Sequence, residues 1–494
     1  MLESLDPYTN FIPEAQREDY LFMTTGQYGG IGALIQQRGD FVVVSEPYEN
    51  APAHKAGIIA GDKIIEINGI SAKNKSVSDV SAILKGQPGT ELSVLIERTG
   101  EAGPKHFSII RENVKIDNIP YFGLLDEDIA YINLSGFTQT AYNDVRKSFE
   151  DLRSQTELQG LIIDLRGNGG GLLSEAVNIV GMFVEEGEQV VSTKGKLREA
   201  SRVHKTTLKP LDQDIPIAIL VDNNSASASE IVAGALQDLD RAVVIGQRTL
   251  GKGLVQNVIP LTYNTSLKVT VAKYYIPSGR CIQAIDYFHK DDNGDHLVIP
   301  DSLKTAFTTR NGRTVFESAG IEPDILIEPR SVNSFTRALI TEYKIFDFAN
   351  RFFLNNAEIA QAGDFEISDE IFEEFKNFVL AGELKYKTSG ERALDNLRKS
   401  LENENNNDRV NELIQELEKE INLNKTDEML ANREEIEEIL LSEIIARYYF
   451  QRGRVISALP RDHAVKKAIE VLKDVTQYLN ITGNGSKPNV KDKG

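Results

Sequence analysis

The spacing of hydrophobic and polar residues changes three times along the chain, which predicts four structural segments. Residues 1–28 hold one amphipathic stretch and are expected to form a short helical lead-in. Residues 29–112 carry short alternating or apolar runs interrupted by Gly-Asp, Asn-Gly and Pro-Gly turns, a pattern typical of a small β-rich module. Within it, residues 77–84 have helical spacing, with Ser76 or Ser78 as the predicted N-cap.

Residues 113–330 alternate between buried-looking strands and helical stretches. The runs that predict strands include 129–134, 161–165 and 217–221, and the stretches that predict helices include 141–153, 172–184 and 226–239. This alternation predicts an α/β layered domain with mostly parallel strands. The polar stretch 286–311, which contains Asp291 to Asp295, is expected to be a surface insertion.

Residues 331–494 show apolar positions at helical spacing, such as Leu413, Ile414 and Leu417, on an acidic background. We interpret this segment as amphipathic helices with a solvated acidic face, because a charge run is more often a solvated surface than a binding tail. No run approaches the roughly 18 apolar residues that a membrane-spanning helix needs. The length of 494 residues suits roughly three domains.

Composition narrows the classes of function. With 55 Lys and Arg against 74 Asp and Glu, the formal net charge is −19, which argues against a general binder of nucleic acid or of anionic lipid. The single cysteine, Cys281, excludes an intramolecular disulfide framework and a cysteine-based zinc cluster. We expect no metal and no cofactor. His289 and His296 lie near aspartates, but their spacing fits a polar loop better than a metal site.

A run of three serines follows a predicted strand. The strand at 217–221 ends in Asp-Asn-Asn, and Ser225-Ala-Ser227-Ala-Ser229-Glu230 then opens a helix of small residues. Such a turn exposes a nucleophile, and the free N–H groups of the helix N-terminus stabilise an oxyanion. Ser227 and Glu230 also have the spacing of an ordinary capping box, and from this segment alone capping is the stronger interpretation.

A glycine-flanked lysine offers a general base. Residues 246–252 have the glycine and lysine spacing of a P-loop, but Gly253 replaces the hydroxyl residue that would bind Mg²⁺, so nucleotide binding is disfavoured. Flanking glycines let Lys252 lie in a tight, dry bend, where burial lowers its pKa and makes it a usable base for a serine. The alternative is a surface lysine in a glycine loop, which is the commoner situation for Gly-Lys-Gly alone.

Two further glycine-rich turns are candidate anion-binding elements. After the strand at 161–165, the turn Gly169-Gly170-Gly171 can supply backbone N–H groups to an oxyanion hole, whereas Leu172 breaks the dinucleotide fingerprint. Near the start of the chain, Gly29-Gly30-Ile31-Gly32 can form a nest of N–H groups that binds a peptide carboxylate beside an open strand edge. Taken alone, the four residues 29–32 are more simply a plain glycine turn.

The order of these motifs resembles a known family. Residues 29–112, with Gly29-Gly30-Ile31-Gly32, Gly61-Asp62 and the helix at 77–84, resemble a PDZ domain of the bacterial protease type. Three motifs follow this module in order: Leu-Arg-x-Asn-x-Gly-Gly, Ser-Ala-Ser-Ala-Ser-Glu and Gly-Lys-Gly-x-Val-Gln. Together they look like a carboxy-terminal processing peptidase, a tail-specific serine protease of family S41. The segments 4–8 and 320–324 also resemble family segments, so the resemblance covers roughly residues 1–330.

The resemblance implies both a fold and a set of roles. The fold is an α/β layered catalytic core of the crotonase and Clp protease type at 113–330, with an inserted PDZ domain at 29–112 and an α-helical extension at 331–494. The implied roles are Ser227 as nucleophile, Lys252 as general base, Gln256 as the residue that orients the lysine, the N–H groups of Ala228 and of Gly170 or Gly171 as the oxyanion hole, Asp238 as structural support, and residues 29–32 as the site for the substrate C-terminus.

The implied activity is serine endopeptidase cleavage near a protein's C-terminus, without metal or cofactor. The implied partners are proteins bound through their C-termini, with homo-oligomers through the C-terminal helices as a further expectation. Residues 1–8 lack the pattern of a signal peptide, so we expect a trimmed chain of a cell-envelope protein. Gly169 stands where the family usually has proline. The competing hypothesis is a non-catalytic PDZ scaffold that only binds peptides.

Overall fold

The computed structural model describes residues 2, 5–290, 296–298, 305–317, 320–382, 384–387, 389–402, 408–422 and 424–483. The predicted surface insertion therefore falls partly outside the described residues, and Asp291 to Asp295 lie wholly outside them. The chain forms two compact units: residues 1–28, 113–329 and 460–494 make the first, and residues 29–112 and 330–459 make the second.

The described strands, numbered in chain order, are β1 Asn10–Ile12, β2 Gln27–Gly30, β3 Ala33–Arg38, β4 Phe41–Pro47, β5 Lys63–Ile67, β6 Ile70–Ser71, β7 Glu91–Glu97, β8 Lys105–Ile110, β9 Glu112–Lys115, β10 Tyr121–Leu125, β11 Ile129–Asn133, β12 Gly160–Asp164, β13 Gln189–Gly195, β14 Arg202–Lys205, β15 Ile217–Val221, β16 Val243–Gly246, β17 Leu254–Pro260, β18 Ser266–Tyr275, β19 Ile285–Lys290, β20 His296–Val298, β21 Ala306–Thr308, β22 Thr314–Phe316 and β23 Ile325–Leu326.

The described α-helices are α1 Arg17–Thr25, α2 Pro52–Lys55, α3 Val77–Leu84, α4 Ala141–Arg153, α5 Leu173–Gly181, α6 Ala228–Asp238, α7 Ser334–Thr341, α8 Lys344–Asn355, α9 Asp369–Ala381, α10 Ser389–Glu402, α11 Asp408–Asn422, α12 Asn424–Ala431, α13 Arg433–Ala458, α14 His463–Lys473 and α15 Val475–Ile481. No helix in the described part of the chain is both long and apolar enough to span a membrane.

The first unit is built on a six-stranded sheet. Its order is β10-β11-β12-β15-β16-β23. The five strands β11, β12, β15, β16 and β23 run parallel to one another, whereas β10 is antiparallel to β11. Every residue of β12 and β15 is buried, which is the behaviour of strands covered on both faces. Helices α4, α5 and α6 pack in one core with the sheet, and α14 contacts β12, β15 and β16. The predicted α/β layering with parallel strands is confirmed.

A second, antiparallel sheet completes this unit. It has the order β1-β18-β13-β14, with β17 also paired to β18, and β13 contacts α5 and α6. The N-terminal segment thus contributes strand β1 as well as the predicted helix, because Asn10, Phe11 and Ile12 pair with Lys268, Leu267 and Ser266 of β18. A strand of three residues is too short to be predicted from the alternation of polar and apolar residues.

Residues 460–494 belong to the first unit, although the sequence pattern groups them with the helical segment 331–494. Asp462 caps α14 and also pairs with Arg166 at 2.7 Å. The Tyr478 hydroxyl donates to the Arg241 carbonyl at 2.8 Å and accepts from the Ile217 N–H at 3.2 Å. These contacts, together with the apolar face of α14, cover the second face of the sheet.

The second unit joins a small β-sheet to a helical bundle. The sheet has the order β3-β4-β5-β7-β8, with β6 on β5. Ser76 is the N-cap of α3, and its side chain forms a capping box with Asp79. Helices α7 to α9, α12 and α13 share a core rich in phenylalanine. A polar contact joins the two parts, because Arg454 of α13 pairs with Glu46 of β4 at 3.1 Å. Within the helical bundle, the guanidinium of Arg447 donates to Asn350 at 3.0 Å.

The glycine inside α6 yields a prediction about packing. A Cβ at Gly234 would approach the Cδ1 atoms of Ile321 and Ile276 at 2.6 and 2.7 Å, whereas a Cβ at Gly181 in α5 would meet Thr206 at an ordinary 3.4 Å. We expect Gly234→Ala to lower the free energy of unfolding by about 1–3 kcal/mol, because overpacking outweighs the better helix propensity of alanine. Urea unfolding of both alanine variants is the measurement.

Gly181→Ala is the matched control, since it adds the same methyl group to a buried helical glycine with room for it. Its unfolding free energy is expected to equal or exceed that of the parent chain. A Gly234→Ala variant as stable as Gly181→Ala would contradict the packing of α6 described above.

Candidate active site

Ser227 lies at a sharp turn between strand β15 and helix α6. Its backbone has φ 56° and ψ −111°, which is uncommon for a residue with a side chain, and this explains why α6 begins at Ala228 rather than at the predicted Ala226. The turn rests on Asn168, whose carbonyl accepts from the Ala226 N–H at 3.0 Å and from the Ser229 hydroxyl at 2.9 Å. Ser227 is thus presented by a strand–turn–helix element.

The carboxylate of Glu230 connects the serine turn to the lysine loop. Its Oε2 accepts from the N–H groups of Ser227 and Lys252, each at 2.8 Å. Its Oε1 accepts from the Thr249 hydroxyl at 2.6 Å and from the Gly251 N–H at 2.7 Å. The S-x-x-E spacing therefore does give a contact of the capping-box kind from Glu230 to Ser227, but the same carboxylate also organises residues 249–252.

The protonation state of Glu230 follows from this geometry. The side chain is fully buried, and burial raises the pKa of its carboxyl group above the ordinary value, while the four hydrogen-bond donors oppose that rise. Each carboxylate oxygen accepts two hydrogen bonds. Three of the four donors are backbone N–H groups, which can only donate, and the Thr249 hydroxyl already accepts from the Ile321 N–H at 2.7 Å. The ionised carboxylate suits this arrangement.

Lys252 lies in a tight bend between two glycines. A Cβ at Gly251 would come within 2.3 Å of the Ala284 Cβ, and one at Gly253 within 2.6 Å of the Gln283 nitrogen, so neither position has room for a side chain. Burial lowers the pKa of the Lys252 ammonium, and the charge of Lys268 lowers it further, while Glu230 raises it.

Tyr8 is a neighbour of this lysine that the sequence motifs do not indicate. The Lys252 Nζ lies 4.6 Å from the centroid of the Tyr8 ring, within the range of a cation–π contact. Asp6 sets the turn before the ring, because its carboxylate accepts from the N–H groups of Tyr8 and Thr9 at 2.8 and 2.9 Å. Pro7 and Tyr8 lie in the segment 4–8, and the resemblance of that segment to the family is the sequence feature that could have pointed to Tyr8.

Tyr274 is a second neighbour that the sequence did not reveal. It is almost completely buried on β18, and its N–H donates to the Gly253 carbonyl at 2.8 Å. Burial raises the pKa of the Tyr274 hydroxyl, and a hydrogen-bonding contact with Ser227 opposes that rise. A buried tyrosine thus lies between the serine turn and the lysine loop.

The glycine turn after β12 packs directly against Ser227. A Cβ at Gly170 would lie 2.8 Å from the Ser227 Cβ and 2.9 Å from the Ala228 nitrogen, and the Gly170 N–H donates to Asn168 Oδ1 at 2.9 Å. Among the residues that the structure describes, no acceptor is found for the N–H groups of Gly171 and Ala228. These two donors are available to an anion, and that of Gly170 is not.

The other two residues implied by the resemblance have different surroundings. Gln256 lies on β17 and its side-chain amide donates to the Leu254 carbonyl at 3.2 Å and to Thr270 at 3.3 Å, contacts that do not include Lys252. Asp238 is buried at the end of α6, pairs with Arg280 at 2.9 Å and accepts from the Ser278 N–H at 2.9 Å. These contacts suit structural support.

The loop at residues 29–32 belongs to the second unit. The carbonyls of Gly29, Ile31 and Gly32 accept from the N–H groups of Gly86, Ala53 and Tyr48 at 3.0, 2.8 and 2.9 Å. Gly32 has φ 71°, a conformation that favours glycine. Within the described chain the N–H groups of Ile31 and Gly32 meet no acceptor, as a carboxylate-binding nest requires.

In the described part of the chain, no group of three or more His, Cys, Asp or Glu side chains is arranged to hold a metal ion. Cys281 is buried as a free thiol, and burial raises its pKa. His289 and His296 lie on β19 and β20.

Three protein families match segments of the chain. Residues 128–288 match peptidase family S41, residues 43–98 match the PDZ domain, and residues 335–472 match the C-terminal helical domain of probable PDZ-proteases.

Named relatives are similar over the same region. A carboxy-terminal-processing protease of Bartonella bacilliformis is 37% identical over 288 residues, 58% of this chain and 66% of that protein. A probable CtpA-like serine protease of Staphylococcus aureus is 34% identical over 284 residues, 57% of this chain and 55% of that protein. The matched region thus spans less than two thirds of either relative.

Among solved structures, the photosystem II D1 C-terminal processing protease is 28% identical and is covered over 80% of its chain and 67% of this one, with a TM-score of 0.38. The family matches fall on the segments whose geometry is described above: the serine turn and the lysine loop both lie within residues 128–288. Residues 128–288 of this chain belong to peptidase family S41, and they accompany a PDZ domain and a PDZ-protease helical domain.

Proposed function

We propose that this protein is a serine endopeptidase that cleaves proteins near their C-termini with a Ser227–Lys252 dyad. The observation that carries the proposal is the Glu230 carboxylate, which binds the backbone N–H groups of both residues on a single oxygen at 2.8 Å. Two residues 25 positions apart in sequence are thereby held beside each other at a helix N-terminus. The match of residues 128–288 to peptidase family S41 supports the same conclusion.

The chemistry is acyl transfer. The Ser227 hydroxyl attacks the peptide carbonyl while the neutral Lys252 amine takes its proton, and the N–H groups of Ala228 and Gly171 bind the oxyanion. The protonated lysine then gives its proton to the leaving amine, and water releases the acyl group by the same route. Gln256 is proposed to orient the lysine once its amide turns from Leu254 and Thr270. No metal or cofactor takes part in these steps.

The lysine is suited to this work by its surroundings. Because burial and Lys268 lower the pKa of Lys252, a larger fraction is neutral near neutral pH than for a solvated lysine. In the described structure the Nζ contacts the ring of Tyr8, and no hydrogen bond joins it to Ser227. A rotation of the lysine side chain toward Ser227 accompanies substrate binding in this proposal.

The PDZ domain is proposed to capture the free C-terminus of the substrate. The available N–H groups of Ile31 and Gly32 receive the carboxylate, and the open edge of β3 receives the tail as an added strand. The protein is further proposed to work in the cell envelope, like the family that it resembles, and to form homo-oligomers through its C-terminal helices.

Cleavage by dyad variants tests the proposal. An unfolded protein with an apolar C-terminus is incubated with the parent chain, Ser227→Ala, Lys252→Ala and Lys252→Arg. We expect only the parent to cleave, with the variants reduced at least a hundredfold, because arginine stays protonated and cannot serve as a base. Products are measured by mass spectrometry.

Unchanged cleavage by Ser227→Ala would rule out the serine assignment. Binding of the substrate tail without cleavage by the parent chain would instead favour the non-catalytic PDZ scaffold.

The glycine turn beside the serine gives a second test. Gly170→Ala places a Cβ 2.8 Å from the Ser227 Cβ at a φ of +99°, so we expect a loss of kcat of at least a hundredfold with the chain still folded. Gly169→Ala is the matched control, because a Cβ there meets no atom within 4 Å. Its kcat is expected to stay within about twofold; equal losses in the two variants would refute the assigned geometry.

The pH dependence of cleavage tests the base. Since the neutral amine is the active form, kcat/KM should rise with pH through the pKa of Lys252, with a midpoint below that of a solvated lysine. Lys268→Gln removes a like charge, so the pKa of Lys252 rises and the profile shifts to higher pH. Lys273→Gln, on the same strand, is the control and should leave the midpoint in place. A Lys268→Gln profile that moves to lower pH would contradict the assignment.

A further inference from the structure

Strand β3 presents an open edge on the PDZ side of the second unit. Among the strands that the structure describes, it is the terminal strand of its sheet and pairs with β4 alone, and α3 packs beside it. Arg38 and Phe41 pair across the two-residue turn Gly39-Asp40, so their N–H and C=O groups face each other. Because these groups alternate along an antiparallel strand, those of Gln37 and Ile35 point to the open edge.

One of these edge positions is already occupied. The hydroxyl of Tyr343, the residue that precedes α8, donates to the Gln37 carbonyl at 3.3 Å. This contact is independent support for the outward direction of the Gln37 carbonyl, and it brings the helical domain onto the sheet edge. The edge at Ile35 has no such contact in the described residues.

Tyr343 is held firmly in this place. Its backbone has φ 58°, a conformation that side-chain-bearing residues seldom adopt. The Arg38 guanidinium lies 4.9 Å from the centroid of the Tyr343 ring and forms a two-pronged ion pair with Asp347 of α8, with one hydrogen bond at 2.6 Å. β3 and the start of α8 are thus tied together at the end of the open edge.

We propose that Tyr343 is the end stop of the tail-binding edge, so that only about the last four residues of a substrate tail add to β3 as a strand. This inference rests on the proposed capture of C-terminal tails and names the substrate class more narrowly. A tail that begins at the carboxylate loop runs antiparallel to β3, pairs with Ile35, and meets the tyrosine where it would pair with Gln37. A longer tail therefore gains no further pairing with β3 beyond the tyrosine.

Backbone methylation of the peptide tests this stop directly. Fluorescein-labelled octapeptides with an apolar C-terminus, each carrying one N-methyl group at a different position, are titrated into the full chain bearing Ser227→Ala, and binding is followed by anisotropy. Methylation of the residue opposite Ile35 is expected to weaken binding by about tenfold, the worth of one hydrogen bond. Methylation two residues upstream is expected to change the affinity less than twofold.

Removing the contact of Tyr343 with β3 should let the peptide pair with Gln37 as well. Tyr343→Gly, which removes the ring and accepts a positive φ, is expected to make the upstream methylation cost several-fold in affinity. Arg38→Met, which removes the stacking and the ion pair, provides a second route to the same result if the glycine variant is unstable.

A parent chain that loses affinity on upstream methylation has an open edge at Gln37, and the stop is then refuted. An upstream methylation that remains without effect in both released variants also refutes it. Failure of every octapeptide to bind would refute tail capture itself, and with it this inference; that outcome is separate from the other two.

Discussion

The buried carboxylate of Glu230 is the interaction on which the site depends. A charge without water is strongly unfavourable unless it is matched by hydrogen bonds, and here four donors converge on two oxygens. Those donors come from the serine turn and from the loop at residues 249–252. Any displacement of either segment leaves part of the charge unpaired, so the two segments are fixed to each other through the start of α6.

The central sheet also positions the candidate active site. β12, β15 and β16 are parallel, so their carboxyl ends lie at one edge, and the glycine turn, the serine turn and the lysine loop follow these three strands. Arg166, in the turn after β12, pairs with Asp164 and also with Asp462, the N-cap of α14. The turn beside Ser227 is thereby connected to the helix that covers the far face of the sheet.

The sheet of the second unit keeps an open edge at β3. In an isolated domain such an edge can pair with another chain, and here the start of α8 covers one end of it. Glu46 of β4, largely removed from water, pairs with Arg454 of α13, and Arg38 of β3 pairs with Asp347 of α8, so both ion pairs hold the helical part against the sheet. The helices of residues 330–459 thus belong to the same compact unit as this sheet.

The sequence by itself determined the local features of this protein. Apolar runs predict β12 and β15, the Ser76 cap predicts α3, and glycine, serine and lysine motifs indicate the turns of the site. Each of these features depends on residues close together in the chain. Contacts between distant segments were decided only by the tertiary structure. Packing, which spacing along a chain does not encode, decides the four partners of Glu230 and the position of the Lys252 ammonium over the Tyr8 ring. It also decides that the N–H of Gly171, and not that of Gly170, meets no acceptor among the described residues, and that residues 460–494 belong to the first unit.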